Sequence, residues 1–115
     1  MPTIHTLGPP GRRTEVTYSG DTATGVTLHF DSANLSISSN LIQTILETFN
    51  GQIIPGGFCM TAPSHGGLGE WVQENSNLSP RHASFIAAIL VHEGLIRSSL
   101  QGNSIYLHFS VSSPI

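Results

Sequence analysis

The stretch LSPRHASFIAAILVHEGLIRSSLQGNSIYLHF, residues 78–109, decides the fold of this chain. Ser79 and Pro80 are typical of a helix start, because a serine hydroxyl accepts from the unpaired amides of the first turn and proline has no amide to leave unpaired. An apolar run follows from Ala83 to Val91. Gly94 is typical of the residue that ends a helix in the left-handed conformation. The pattern therefore predicts a helix between Ser79 and Gly94.

Two β-rich segments follow this helix, residues 95–100 and 104–109, with turn chemistry between them at 101–103. This order predicts a β-hairpin. Winged helix-turn-helix domains commonly end their third helix with a leucine, a short polar stretch, a glycine and an apolar pair, and residues 90–96 have this pattern. The chain thus resembles a winged helix-turn-helix domain over about residues 68–109. The resemblance implies that the hairpin is the wing of such a domain.

Two further helices are predicted upstream of this stretch. Residues 40–49 carry one apolar stripe, which indicates a first helix that is capped by Ser39 or Asn40. Residues 68–75 look like the short second helix of the resemblance, with Trp71 among the apolar residues of one face. The expected core is therefore a winged-helix-like set of three helices.

Strands are predicted at the other end of the chain. Apolar and polar residues alternate at 14–19 and 25–30, which indicates an N-terminal β-hairpin. Residues 31–39 have the composition of a loop, and residues 53–60 are typical of a short edge strand interrupted by Pro55. The expected fold class is α+β: an N-terminal β-hairpin, a winged-helix-like three-helix core and a C-terminal β-hairpin wing. One option is that both hairpins share a sheet.

One domain over residues 14–115 fits the chain length of 115 residues. Residues 1–13 contain Gly-Pro-Pro-Gly at 8–11 and are expected to form a flexible N-terminal arm. Charged residues make up only 10% of the chain, against a typical ~25%, and lysine is absent. The formal net charge is −3. Scarce charge leaves little repulsion between copies, which favours self-association.

The predicted third helix is apolar on almost every side. Aligned on its closing glycine, it should bury one set of residues and present another, which would be Phe85, Ala88 and Ile89. A helix that is apolar nearly all round is normally covered on more than one side. The N-terminal hairpin could cover the second set within the chain, or a second protein could cover it. The latter alternative makes Phe85, Ala88 and Ile89 an interaction face, most simply of a homodimer.

DNA binding is the alternative that the winged-helix resemblance implies. Such a regulator would use polar residues of the third helix, an arginine beside the wing and two arginines of the arm as a minor-groove contact. These residues are Arg81, His82, Ser84, Arg97, Arg12 and Arg13. Phosphate contacts dominate affinity for DNA, and four cations against seven carboxylates are few. The charge balance therefore disfavours nucleic acid as a partner.

No pattern predicts an enzyme, a metal site or a cofactor. His29 and His108 lie on predicted strands with outward parity, where they would pair across a shared sheet or stand alone on solvated faces. Cys59 is the sole cysteine, which fits a reducing compartment. No apolar run is long enough to span a membrane, and the first residues lack the apolar core of a secretory signal. A cytoplasmic location is expected.

These patterns predict a small non-catalytic winged-helix-like module that acts in protein–protein contact, with a homodimer as the simplest assembly. A DNA-binding transcriptional regulator is the alternative. Binding to random duplex DNA that is present at ~50 mM salt and fades by ~200 mM would distinguish the regulator.

Overall fold

The computed structural model of this protein describes residues 3–7, 15–30, 33–57, 65–101 and 104–109. Within these ranges the chain forms three helices and seven strands. In chain order they are β1 (Thr3–His5), β2 (Glu15–Asp21), β3 (Gly25–His29), β4 (Asn34–Ile37), α1 (Ser39–Thr48), β5 (Ile53–Pro55), α2 (Leu68–Asn75), α3 (Pro80–His92), β6 (Arg97–Gln101) and β7 (Ser104–His108). The expected α+β class is therefore confirmed.

Strands β1 to β4 form one antiparallel sheet in sequence order. Apolar residues alternate with polar ones along each strand, so one face of the sheet is apolar and the other is polar. Directly paired residues share a face, as Tyr18 and Leu28 do across β2 and β3. The buried residues of the apolar face are Ile4, Val16, Tyr18, Val26, Leu28 and Ile37. The sheet must therefore lie with this face against the rest of the chain.

Two strands of this sheet lie where the sequence predicted none. β1 lies inside the expected flexible arm, and β4 lies inside the expected loop at 31–39. They are three and four residues long, so their alternation is too short to distinguish a strand from a loop in the sequence. Each contributes one buried isoleucine, Ile4 and Ile37, to the apolar face. The expectation of an irregular arm is thus wrong for residues 3–5, while residues 1–2 and 8–13 lie outside the described ranges.

The second sheet has three antiparallel strands in the order β5-β7-β6. The predicted C-terminal hairpin is confirmed as β6 and β7, paired from Arg97 opposite His108 to Gln101 opposite Ser104. β5 occupies the other side of β7. The two hairpins consequently lie in different sheets, and the option of one shared sheet is wrong.

Helix α3 begins and ends with the predicted chemistry, whereas the predicted cap of α1, Ser39 or Asn40, is wrong, because the capping residue is Ser38. α1 begins after Ser38, whose hydroxyl accepts from the amide of Leu41 at 3.1 Å. α3 begins after Ser79 with Pro80 in its first turn, and Gly94 follows its end at a φ of 78°. α2 is held against a neighbouring loop, because its Gly69 amide donates to the carbonyl of Gly56 at 2.9 Å. No side chain fits at Gly69, since a Cβ there would meet the Gly57 carbonyl.

Helix α3 is the centre of the core. Eight of its residues are buried, from Pro80 to Leu90. The four-stranded sheet, the other two helices and the three-stranded sheet all add residues to the same apolar cluster. Phe49 of the α1 end contacts the rings of both Trp71 and Phe109, which ties α1 and α2 to the end of β7. In the described part of the chain, no helix is long and apolar enough to cross a membrane.

Candidate functional site: the outer edge of strand β6

The predicted interaction face on α3 is buried inside the chain. Phe85, Ala88 and Ile89 expose only 4%, 3% and 1% of their surface. The four-stranded sheet provides much of the cover: the rings of Phe30 and Phe85 meet edge to face at 5.3 Å, and Ile89 shares an apolar seam with Val26 and residues of α1. A partner would reach these three side chains only if the sheet moved away. A contact surface must be sought elsewhere.

A hydrogen bond joins the four-stranded sheet to the end of α3. The Tyr18 hydroxyl, on β2, donates to Glu93 Oε2 at 2.8 Å, and the Tyr18 ring meets the His92 ring edge on at 6.2 Å. Burial of Tyr18, and then its bond to the Glu93 carboxylate, raise the pKa of Tyr18 to about 12. Tyr18 therefore stays a neutral donor across the physiological pH range, and the link holds.

The residues proposed for DNA contact do not form a continuous exposed helix face. Arg81 is exposed at the start of α3 and Arg97 at the start of β6. Ser84 is half-buried and donates its hydroxyl to the Arg81 carbonyl at 2.6 Å. Residues Arg12 and Arg13 lie outside the described ranges. Beyond its first turn, α3 offers no exposed residue until its last turn, so a groove-reading role is confined to two or three positions.

His82 serves the local structure of α3. It is half-buried, and its Nδ1 accepts from the Ser79 amide at 3.2 Å while the Ser79 hydroxyl accepts from the His82 amide. This reciprocal pair is a capping box with histidine in the position that glutamate or glutamine usually holds. Burial, and then the charge of Arg81, lower the pKa of His82. The neutral form is favoured, which Nδ1 needs in order to accept.

The two strand histidines lie in different sheets, so they do not pair. His29 Nε2 lies 2.9 Å from Ser19 Oγ and its Nδ1 lies 3.2 Å from Asn34 Oδ1, across three neighbouring strands. His108 Nε2 lies 2.8 Å from Ser99 Oγ. Ser19, His29 and Asn34 are thus linked in the order hydroxyl, imidazole and amide, as in a nucleophilic triad. They lie on the solvated sheet face, and neither of the two surface grooves described below includes them. The described residues contain no cluster of metal-ligating side chains.

Among the described strands, β6 is the longest that forms the edge of a sheet. Within the described ranges β6 pairs only with β7, and four of its five residues are exposed. An edge strand presents unpaired N–H and C=O groups to any strand that comes alongside. The other edge strands are shorter: β1 and β5 have three residues and β4 has four. β5 also carries Pro55, which cannot donate to a new ladder.

Within its own five residues, β6 carries none of the protective side chains that are usual at a sheet edge. Proteins protect such strands with inward-pointing charges, lysine or proline. The sequence of β6 is RSSLQ, in which Arg97 is the sole charge and stands at one end. Leu100 lies on the inner side of the sheet, since it pairs with Ile105, yet it is 43% exposed. The sheet thus ends in an edge whose one charge, Arg97, stands at its start, with the apolar side chain of Leu100 at its rim.

A groove runs beside this edge. It has a volume of about 330 Å³ and is lined by residues 5–7 at the end of β1, by residues 98–100 of β6 and by Ile105 of β7. Three of its lining residues are apolar, Leu7, Leu100 and Ile105, and the other four are polar, His5, Thr6, Ser98 and Ser99. A strand added to β6 would place every second side chain over this groove. Backbone pairing and a side-chain pocket therefore occur together here.

A second groove of about 410 Å³ lies between α1 and the loop after α3. Its apolar wall includes Leu95, which is 40% exposed, and its polar wall is formed by Gln43, Glu47 and Asn50. No strand edge borders it in the described part of the chain. It supplies a useful comparison for the β6 groove, because its leucine has nearly the same exposure as Leu100.

Comparison with models of protein families, with curated proteins and with solved structures finds no match for this chain. The function must therefore be argued from the geometry of the chain itself.

Proposed function

We propose that this protein is a small, non-catalytic, winged-helix-like interaction module that binds an extended polypeptide strand at the edge of β6. The observation that carries the proposal is the five-residue, nearly uncharged edge beside a groove that contains three apolar side chains. Strand addition draws affinity from main-chain hydrogen bonds and specificity from pockets that receive alternate side chains. The β6 edge offers both. The proposed location is cytoplasmic, on the sequence argument of the lone Cys59.

A peptide titration tests this function. We expect a capped heptapeptide of alternating threonine and valine to shift the backbone amide resonances of residues 98–100 and of groove residue Leu7 in ¹⁵N-labelled protein. The same peptide with alternate N-methyl groups on the edge that faces β6 should cause no shift, because it cannot donate to the ladder. Shifts that leave β6 untouched, or equal shifts with the methylated peptide, would exclude strand addition.

A pair of variants makes the titration specific. Leu100→Lys places an inward-pointing charge on the edge, which is how natural sheets prevent strand addition. Since Leu100 is 43% exposed, the fold should tolerate the change. We expect at least tenfold weaker peptide binding. Leu95→Lys is the matched control, because Leu95 is equally exposed and lies in the other groove. It should bind the peptide as the unmodified chain does.

A DNA-binding regulator is the second candidate, supported by the exposure of Arg81 and Arg97. We rank it lower because a helix in the major groove must present one whole side to the bases. The α3 residues from Phe85 to Leu90 are all buried. Fluorescence anisotropy with a random duplex should show no binding at ~50 mM salt, whereas binding that fades by ~200 mM would favour the regulator.

A further inference from the structure

We propose that the strand received by β6 is the β6 strand of a second copy of this chain, paired antiparallel about a two-fold axis at Ser99. This inference rests on the proposed function and names its partner. It predicts a continuous six-stranded sheet in the order β5-β7-β6-β6-β7-β5.

The register follows from the two-fold symmetry. With Ser99 opposite its own copy, Ser98 lies opposite the partner's Leu100, and Arg97 lies opposite the partner's Gln101. All five residues of β6 then find a partner. Residues opposite each other in an antiparallel pair share a face and direct their amides the same way relative to the pair. This register therefore continues the inner and outer faces of each sheet into the other.

The groove fits the side chain that this register delivers. Ser98 and Leu100 both lie on the inner side of the sheet, as their partners Leu107 and Ile105 show. The partner's Leu100 would stand opposite the small Ser98, over the groove that Ser98 lines with Leu7 and Ile105. Each copy thus supplies one half-exposed leucine and one groove with the apolar side chains of Leu7 and Ile105 in its lining. The surface is complementary to itself, as a two-fold interface requires.

The charges permit the pairing. Arg97 is the sole charge on β6, and the antiparallel register places the two copies of it at opposite ends of the new ladder. Four residues at about 3.3 Å each separate them by about 13 Å. Exposed charges at that distance are largely screened at physiological salt, where the Debye length is about 8 Å. A parallel arrangement would instead place the two guanidinium groups side by side.

Sedimentation velocity over about 10 µM to 1 mM, on the full chain, tests the partner. A five-residue ladder with one leucine on each side is a small interface, so we expect a weak, reversible dimer with a dissociation constant on the order of micromolar to hundreds of micromolar. Leu100→Lys should raise that constant at least tenfold, and Leu95→Lys should leave it unchanged. Equal weakening by both variants would overturn the proposal.

Cross-linking tests the register. In a Cys59→Ser background, Ser99→Cys should form a symmetric disulfide under mild oxidation, because directly opposite residues bring their Cα atoms within disulfide range. Ser98→Cys should not, since its copy lies two residue positions away along the ladder. Efficient bridging of Ser98→Cys, or none at Ser99→Cys in a dimer, would overturn the register.

The two proposals fail in different ways. If the chain stays monomeric at 1 mM while the threonine–valine peptide still shifts the β6 amides, the second copy is wrong as the partner and strand addition stands. If neither the peptide nor a second copy affects those amides, the proposed function itself is wrong.

Discussion

His82 shows how one side chain couples local structure to pH. Its Nδ1 must keep a lone pair in order to accept from the Ser79 amide, so the capping interaction belongs to the neutral ring. The sequence identified Ser79 as the cap from its position before Pro80. It gave no reason to assign His82 to the same cap, because glutamate or glutamine is the usual partner there. His82 was instead assigned to a DNA contact.

We predict that His82 makes the fold less stable at mildly acidic pH. The folded chain lowers the pKa of His82 from its ordinary 6.5, so the unfolded chain binds a proton first as the pH falls. The stability that neutral His82 contributes is therefore complete above about pH 6.5, and it is lost as the pH falls from there through the lower pKa of the folded chain. The loss should be at most about 1 kcal/mol, the net contribution of one hydrogen bond, because the bond from the His82 amide to the Ser79 hydroxyl does not depend on the ring. Urea unfolding at pH 7.5 and 5 measures it.

His82→Gln supplies the sharpest comparison, because glutamine keeps the capping box and does not titrate. The difference in unfolding free energy between the unmodified chain and this variant should widen in favour of the variant as the pH falls from 7.5 to 5. His65→Gln is the control, since the His65 side chain is 98% exposed and its 3.4 Å pair with Glu70 is a surface ion pair, a kind that contributes little to stability. An identical pH dependence in all three proteins would refute the role given to His82.

At the scale of elements, α3 is an internal helix and not a surface one. Its sequence predicted the bounds, the cap and the closing glycine. It left open whether the same chain or a second protein covers Phe85, Ala88 and Ile89. The four-stranded sheet of the same chain covers these residues. Two of its strands, β1 and β4, are so short that their alternation does not distinguish them from loops in the sequence. The sequence alone thus predicted that α3 is a helix, but it did not predict which part of the structure covers it.

We predict that Phe85→Ala strongly destabilises the isolated chain. Its ring is 4% exposed and packs against Phe30, so truncation leaves a cavity under the sheet and should cost about 3–5 kcal/mol. Phe30→Ala is the comparison, and it should cost clearly less because Phe30 is 37% exposed. A change within about 0.5 kcal/mol for Phe85→Ala, as for a surface position, would mean that the sheet does not cover α3.

The β6 edge was only partly readable from the sequence. The hairpin of β6 and β7 was predicted, and Pro55 correctly restricted β5 to an edge. A hairpin does not reveal on which of its two sides a third strand pairs, since either strand can accept one. In this structure β5 pairs with β7, with Ile54 opposite Leu107, and this pairing leaves β6 at the edge of the sheet. The two paired residues are far apart in the chain. Long-range pairing, not local pattern, therefore made β6 an edge.

At the scale of the whole molecule, both sheets rely on one apolar cluster. We predict a single cooperative unfolding transition, because neither sheet keeps a buried face without α3. Trp71, the sole tryptophan, reports on α2, and amide resonances of β3 report on the other sheet. Their urea midpoints should coincide, and in Phe85→Ala they should fall together. Loss of the β3 amides before the change in tryptophan emission would show that the first sheet unfolds on its own.

The bond between Tyr18 and Glu93 joins groups 75 positions apart, and this has a consequence for synthesis on the ribosome. The strands of the first sheet are made well before the helix that covers them. At about 5–20 residues per second, the roughly 55 residues from Ile37 to Glu93 take about 3–11 s to translate. During that time α1 and then α2 are the helices already made, and the large apolar surface of α3 is still missing from the nascent sheet. A translational pause before α3 emerges would prolong this exposure, whereas a pause after it would not.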